Sequence, residues 1–445
     1  VPAALRSERP RTATLAERME FHRMPAVSIA VVNGARLEWA RAYGVRHARG
    51  TDTVTPRTVF QGGSLAKPVV ALAALRLVER GLLSLDGDVN PRLTSWTIPP
   101  NDAWQPRVSL RQLLSHTSGL TVAVYPGYRR DDVMPTLRQV LHGARPARSE
   151  PVRVELIPGV QYRYSSGAYV VLQQLLMDVT GLPFTELMRE LVLGPLGMRR
   201  STFEQPLPAR RWRFAASGHR SGAQPLPGKW FVYPETAQGG LWTTPSDLAR
   251  FVLALQRAKA GRSNPVLSTG MATEMLSPQA DRDIGLGLFL EGAPEHRRFG
   301  HVGGNEGFSS RLTAYCDIGM GAVVMTNSQH DLLIKEVLAA IAAEYVWPGY
   351  GQEDAAGSAA DPSLLERYVG DYVLPPGTGI RVTREGGLLY LATADQAAIA
   401  LYQTSAARFV AKVVNAEVVF QFAHGELTGL TVEQAGRRMT AKRLG

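Results

Sequence analysis

The chain is short of cysteine, lysine and long apolar runs, and each shortage excludes something. Cys316 stands alone among 445 residues, so an internal disulfide and a multi-cysteine metal site are both closed to it. Its neighbours Ala314, Tyr315 and Val323 read as strand, which favours a buried, inert thiol over a nucleophile. No apolar run reaches the roughly 18 residues that a membrane-crossing helix needs; the longest, Pro68 to Leu77, is about half that. No His-Glu-x-x-His, His-x-x-x-His or paired-carboxylate pattern points to a metal. No Gly-x-Gly-x-x-Gly points to a dinucleotide, so neither metal nor cofactor is expected. Internal repeats and low-complexity segments are missing too. No secretory leader is visible. The chain opens at Val1 and not at methionine, and on that ground export to the periplasm or beyond is expected, with the cytoplasm as the alternative.

What is present is positive charge, carried almost entirely by arginine. The formal net charge is +10, and of 49 basic residues only six are lysine: Lys67, Lys229, Lys259, Lys335, Lys412 and Lys442. The arginines are scattered, with no dense block and no interleaved aromatics, which argues against nucleic acid as a partner. A field of this sign can steer anionic substrates or hold the protein near an anionic surface. The expected partner is a small-molecule or peptide substrate. With 45% hydrophobic residues the chain can bury one large core or two smaller ones.

The order of patterns along the chain predicts an α+β fold. AVSIAVV, the turn dipeptide Asn33-Gly34 and ARLEWARAY predict a hairpin over 25–43. Helical patterns follow at 67–80, 109–115, 133–143, 168–180, 184–193, 246–258 and 331–345, with Gly81 and Gly181 at expected C-caps. Strands fit 284–290, 308–315 and 320–326. Strands at both ends of a helical middle predict an antiparallel sheet closed by the two terminal segments. The stretch PGYGQEDAAGSAADP reads as a linker. After it, short β-type runs broken by glycine predict a small all-β barrel. The expected organisation is residues 1–348 as one domain, 349–361 as linker and 362–445 as the β domain.

One rare lysine sits in QGGSLAKPVVALAALRLVERG, three residues after Ser64 at the mouth of an apolar helix. Positions i and i+3 share a helix face. Serine needs a base to become a nucleophile, and a lysine in a water-poor pocket has its pKa lowered enough to act as one. Gly62-Gly63 permit a tight entry turn, and Pro68 stands near the first turn, where proline is tolerated. On spacing alone the pair reads equally well as an N-cap serine beside a snorkelling lysine.

Four other stretches change that balance: RQLLSHTSGL, YRYSSGAYVVLQQLLMDVTG, GGLWTTPSDLARF and FGHVGGNEGFSS. With SLAK they stand in the order found in the serine β-lactamase and penicillin-binding-protein superfamily, and Ala13 to Tyr345 resembles its class C β-lactamase-like group. That resemblance implies that Ser64 is the acyl-forming nucleophile and Lys67 its proton shuttle. Tyr164 of Y-S-S is implied as general base and then acid, its pKa lowered by cations such as Lys67. His301 of H-V-G stands where β-lactamases have K-T-G, and can supply a donor or a charge. The N–H groups of Ser64 and Gly304 are implied as the oxyanion hole, with Ser166 and Gly303 lining the substrate site. Ser166 replaces the family asparagine, and the K-T-G lysine that pairs with a β-lactam carboxylate is absent. Both changes turn the expectation from β-lactam turnover toward a peptidase or amidase, such as one acting on D-amino-acid peptides. An esterase, a peptide cyclase of the penicillin-binding type and an inactive binding module are the alternatives. The C-terminal segment resembles the lipocalin-like β domains of some relatives. His116 is expected to hold a loop, and Asp247 to be an exposed first-turn residue. Trp230 and Tyr233 fit either cleft or loop packing. Tyr162 and Tyr169 compete with Tyr164.

Overall fold

The chain first reverses at the Asn33-Gly34 signal. Strands β1 (Ala26–Asn33) and β2 (Arg36–Gly44) pair antiparallel. The two loop residues are Gly34 and Ala35, both left-handed at φ +57°, as a two-residue type I′ turn requires. The computed structural model describes residues 13–279, 283–329, 331–350 and 365–444, the last apart from 376, 386–387, 394–397, 406, 412–415, 424 and 435–436. Two compact units divide the chain, Val1–Pro348 and Gly349–Gly445. Most of the expected linker falls on 351–364, outside the described residues.

In the first unit, β3 (Phe289–Glu291), β4 (Arg298–Asn305), β5 (Phe308–Tyr315) and β6 (Gly321–Thr326) complete a six-stranded sheet in the order β2-β1-β6-β5-β4-β3. Its pairings are antiparallel, and β1 joins β6 with Val27 opposite Thr326 and Val31 opposite Ala322. An early hairpin thus meets late strands, as expected of an α+β sheet. The strand expected over 284–290 forms only at 289–291. Gly287 is left-handed at φ +85°, and a Cβ there would press on Ala71, so the chain turns and comes close to a helix before it can extend.

Six helices position the site or cover the sheet: α1 (Leu15–Phe21), α2 (Ala66–Glu79), α3 (Ser166–Thr180), α4 (Thr236–Gly239), α5 (Pro245–Lys259) and α6 (Leu332–Glu344). β1 and β6 are buried along almost their full length, as strands covered on both faces are. Helix α5 packs on β1, β2 and β6, and α6 on β6. Helix α2 is apolar all round, buried from Ala66 through Leu75 and again at Leu77, so it runs through the core. The helix expected over 133–143 begins only at Leu137, because Thr136 caps it by accepting the Gln139 N–H.

The second unit is a closed barrel of eight strands: β7 (Gly370–Leu374), β8 (Thr378–Glu385), β9 (Leu388–Thr393), β10 (Ile399–Ser405), β11 (Arg408–Ala411), β12 (Ala416–Ala423), β13 (Glu426–Gln434) and β14 (Arg437–Arg443). Each strand pairs with the next, and β7 returns to β14 with Tyr372 opposite Arg443, the up-and-down order of lipocalin-like barrels. Closure leaves no free edge. Tyr368, Tyr372, Phe409 and Phe420 fill a core of its own. Among the described residues no helix is long and apolar enough to cross a membrane.

Candidate active site

Gly63 is the pivot of the site. It is left-handed at φ +52°, and a Cβ on it would meet the backbone of Gly304. The chain therefore enters a single 3₁₀ turn, Gly63–Leu65, directly ahead of α2. Ser64 stands in the middle of that turn, half-buried, and Lys67 is the second residue of α2. Pro68 lies in the first turn, where its missing N–H has no intrahelical partner to lose. The Ser64 Oγ and Lys67 Nζ lie 2.9 Å apart.

Tyr164 arrives from 100 residues away. It precedes Ser165, which caps α3 by accepting the Ala168 N–H at 3.0 Å and donates its hydroxyl to the Thr121 carbonyl at 2.9 Å. This double anchor fixes the segment, and the Tyr164 hydroxyl donates to Ser64 Oγ at 3.1 Å. The serine oxygen thus lies between an amine and a phenol. Tyr162 and Tyr169 do not compete: Tyr169 is buried and gives its hydroxyl to the Leu114 carbonyl at 3.2 Å, while Tyr162 has its ring 6.1 Å from His116.

Burial sets the charge state of this cluster. Lys67 is fully buried, desolvation alone holds its pKa well below the ordinary lysine value, and no carboxylate offsets that cost. Burial thus weighs against the ammonium form. Its Nζ donates to the Gln238 carbonyl of α4 at 2.9 Å as well as to Ser64 Oγ. Desolvation also pushes Tyr164 up to about 12, against the lowering effect of the Ser64 and Ser166 hydroxyls. The expectation that the phenol's pKa is lowered is therefore corrected: dehydration outweighs the hydrogen bonds that pull it down.

His301 needs a similar correction. Its Nδ1 lies 2.6 Å from the Val302 carbonyl, which can only accept, so the proton sits on Nδ1. Burial, with Lys67 next, brings its pKa down to about 3. It carries no charge at neutral pH, and Nε2 is a buried acceptor without a hydrogen-bond partner. Its ring packs on Phe289 at 4.8 Å, and Phe289 stacks on Tyr164 at 6.4 Å.

β4 carries His301, Gly303 and Asn305 on one face, toward the nucleophile turn. A Cβ on Gly303 would collide with the Gly62 carbonyl. The Ser310 hydroxyl donates to that same carbonyl at 2.9 Å. Asn305 donates to Gln61 Oε1 at 3.0 Å and to the Gly239 carbonyl at 2.9 Å. These contacts clamp β4, the turn and α4 together, with the Gly304 backbone against Gly63. Ser166 is buried as the first residue of α3.

Sequence reasoning missed the carbonyl of Gln238 and the amide of Asn305. Both lie beside glycine pairs, Gly239-Gly240 and Gly303-Gly304, and close backbone approach at glycine was the available signal. Asp247 is buried, not exposed. Its carboxylate accepts the N–H groups of Arg200 and Ser201 at 2.9 Å each and the Ser201 hydroxyl at 2.8 Å, and burial raises its pKa. Trp230 and Tyr233 are core residues: Trp230 packs edge-on against Trp242, and Tyr233 accepts the Glu306 N–H at 2.9 Å. Cys316 is a buried free thiol just past the end of β5, pushed up to about 12 by desolvation. Glu235, at the head of α4, was not foreseen; its carboxyl is buried, both oxygens lack partners, and desolvation pushes it up to about 7. Among the described residues no group of three or more His, Cys, Asp or Glu side chains is placed to hold a metal.

The Beta-lactamase family matches residues 12–345, and a domain of unknown function, DUF3471, matches 354–443. Penicillin-binding protein 4* of Bacillus subtilis is 25% identical over 444 residues, spanning 92% of this chain and 91% of its own. Esterase EstB of Burkholderia gladioli is 28% identical, over 69% of this chain and 86% of its own. The octameric penicillin-binding protein homologue from Pyrococcus abyssi superposes with a TM-score of 0.67 at 20% identity, covering 96% of this chain and 98% of that one. This likeness carries the fold. With the family match spanning three quarters of its length, the chain belongs to the Beta-lactamase family, as a serine hydrolase of the β-lactamase and penicillin-binding-protein superfamily.

Proposed function

We propose that this hydrolase is acylated on Ser64 by amide or ester substrates, with peptides of D-amino acids the favoured class and β-lactam turnover weak or absent. The observation that carries the reading is Ser64 Oγ held 2.9 Å from a dehydrated amine and 3.1 Å from a phenol. The neutral Lys67 amine takes the Ser64 proton as Oγ attacks the carbonyl carbon. The N–H groups of Ser64 and Gly304 receive the oxyanion, worth several kcal/mol in the transition state. The leaving group departs with the Tyr164 proton, and the Lys67 ammonium returns a proton to the phenolate. Both groups are then neutral, as they began. Water attacks the acyl-enzyme by the reverse relay, with Tyr164 and Lys67 taking its proton and Ser64 leaving protonated.

His301 supports the choice of substrate. An uncharged, buried histidine cannot supply the cation that pairs with a β-lactam carboxylate. The same feature favours a second reading, a short-chain carboxylesterase, and one similar protein is named an esterase.

Intact mass after incubation with a fluorophosphonate and with a fluorescent penicillin tests the acylation. A single adduct that disappears in Ser64→Ala is expected, and no adduct from either reagent on the native protein sinks the reading. Comparing p-nitrophenyl butyrate with D-alanyl anilides separates esterase from amidase.

A further inference from the structure

The strongest unused feature beside the nucleophile is His116, in the SHTSGL turn. It touches three successive residues of the segment that carries the phenol. Its backbone carbonyl accepts the Arg163 N–H at 2.8 Å. Its ring lies against the Tyr164 ring, with centroids 4.3 Å apart and planes tilted by 31°. Its Nδ1 accepts the Ser165 N–H at 3.1 Å, so the imidazole proton sits on Nε2. The side chain is buried, and desolvation holds its pKa well below the usual histidine value.

The backbone supplies a second, independent mark. His116 is left-handed at φ +58°, a conformation that residues other than glycine seldom adopt and that persists only where its surroundings enforce it. Both the strained turn and the ring are committed to the same short segment. The reach of Tyr164 to Ser64 is one hydrogen bond of 3.1 Å, and Ser165 anchors only the backbone. The ring's tilt is set by what it packs against: His116 on one side and the Phe289 ring, stacked at 6.4 Å, among its other neighbours.

We propose that His116 is a positioning residue for catalysis, holding the Tyr164 phenol in line with Ser64 and acting on the reaction only through it. The proposal rests on the reading of Tyr164 as proton donor to the leaving group. Two substitutions separate its parts. His116→Asn tolerates the left-handed turn and keeps an acceptor but removes the stacked ring. His116→Phe keeps a ring and removes the acceptor.

Steady-state hydrolysis of p-nitrophenyl butyrate, alongside circular dichroism to verify folding, provides the test. Each variant is expected to lower kcat by about 10- to 100-fold, the size of loss that a misplacement of about 1 Å causes, with KM changed less than about threefold. The double variant His116→Asn/Tyr164→Phe is expected to be no slower than Tyr164→Phe alone, because the two residues form one unit. The proposal is overturned if both His116 variants keep kcat within about threefold of the native protein, or if the losses multiply in the double variant. Tyr164→Phe alone serves as the control for the underlying reading. If it is fully active, the role of Tyr164 fails and that of His116 with it. If it is slow while the His116 variants are not, only His116 is misassigned.

Discussion

Dehydration of single side chains governs the chemistry at the residue scale. Burial lowers the Lys67 pKa, so on the proposed role as general base, activity is expected to fall as pH drops through that lowered pKa. The acid limb of kcat/KM is therefore expected well below the 10.5 of an ordinary lysine. Lys67→Arg, which cannot deprotonate at all, is expected to lose about 10²- to 10⁴-fold in kcat, the usual worth of general-base catalysis. A pH–rate profile of the native protein and one rate on the variant check both. Activity surviving in the arginine variant would show that the base lies elsewhere. Glu235 gives a prediction of stability. Its carboxyl titrates near 7 in the folded protein against 4.5 for the free group. Below pH 4.5 both states hold the proton; between 4.5 and 7 the unfolded chain releases it first, so stability falls as pH rises and levels off above 7. That loss amounts to about 3 kcal/mol. Relative to Glu235→Gln, the native protein should unfold at lower urea concentration at pH 8 than at pH 5. Parallel pH curves would mean that water reaches this carboxyl.

Glycine and capping interactions decide geometry at the scale of elements. Gly303 faces the Gly62 carbonyl with no room for a methyl group. Gly303→Ala is expected to push β4 off the nucleophile turn, lowering Ser64 labelling by at least about tenfold through displacement of the oxyanion donors. A labelling rate equal to that of the native protein would refute this arrangement. Asp247 ties α5 to the Arg200–Ser201 backbone through buried bonds. Asp247→Ala strands those donors and is expected to cost about 2–3 kcal/mol, read as a lower thermal midpoint, with Ser64 labelling at 20 °C unchanged. Elements were also the most legible level in the sequence. The α2 pattern and the Asn33-Gly34 turn are local signals, and the structure follows them within a residue or so. The strand over 284–290 failed because Gly287 answers to Ala71 on a distant helix and not to its neighbours.

For the whole molecule, two hydrophobic cores imply two folding units. Phe420→Ala, in the barrel core, is expected to cost that unit about 3–5 kcal/mol while Ser64 labelling persists. A joint loss of both would show that the units unfold as one. The sequence by itself determined much of the order of strands and helices, though not β4, α1 or α4, together with the SLAK pair at the start of a buried helix and the family that those motifs resemble. These are local patterns, readable wherever periodicity or turn chemistry dominates. Only the tertiary structure decided that Lys67 is fully buried, that Tyr164 and His301 are neutral, that His116 packs on the phenol and that Asp247 is inside. Each of those states depends on how completely residues more than forty positions away exclude water, and one-dimensional spacing carries no record of dehydration.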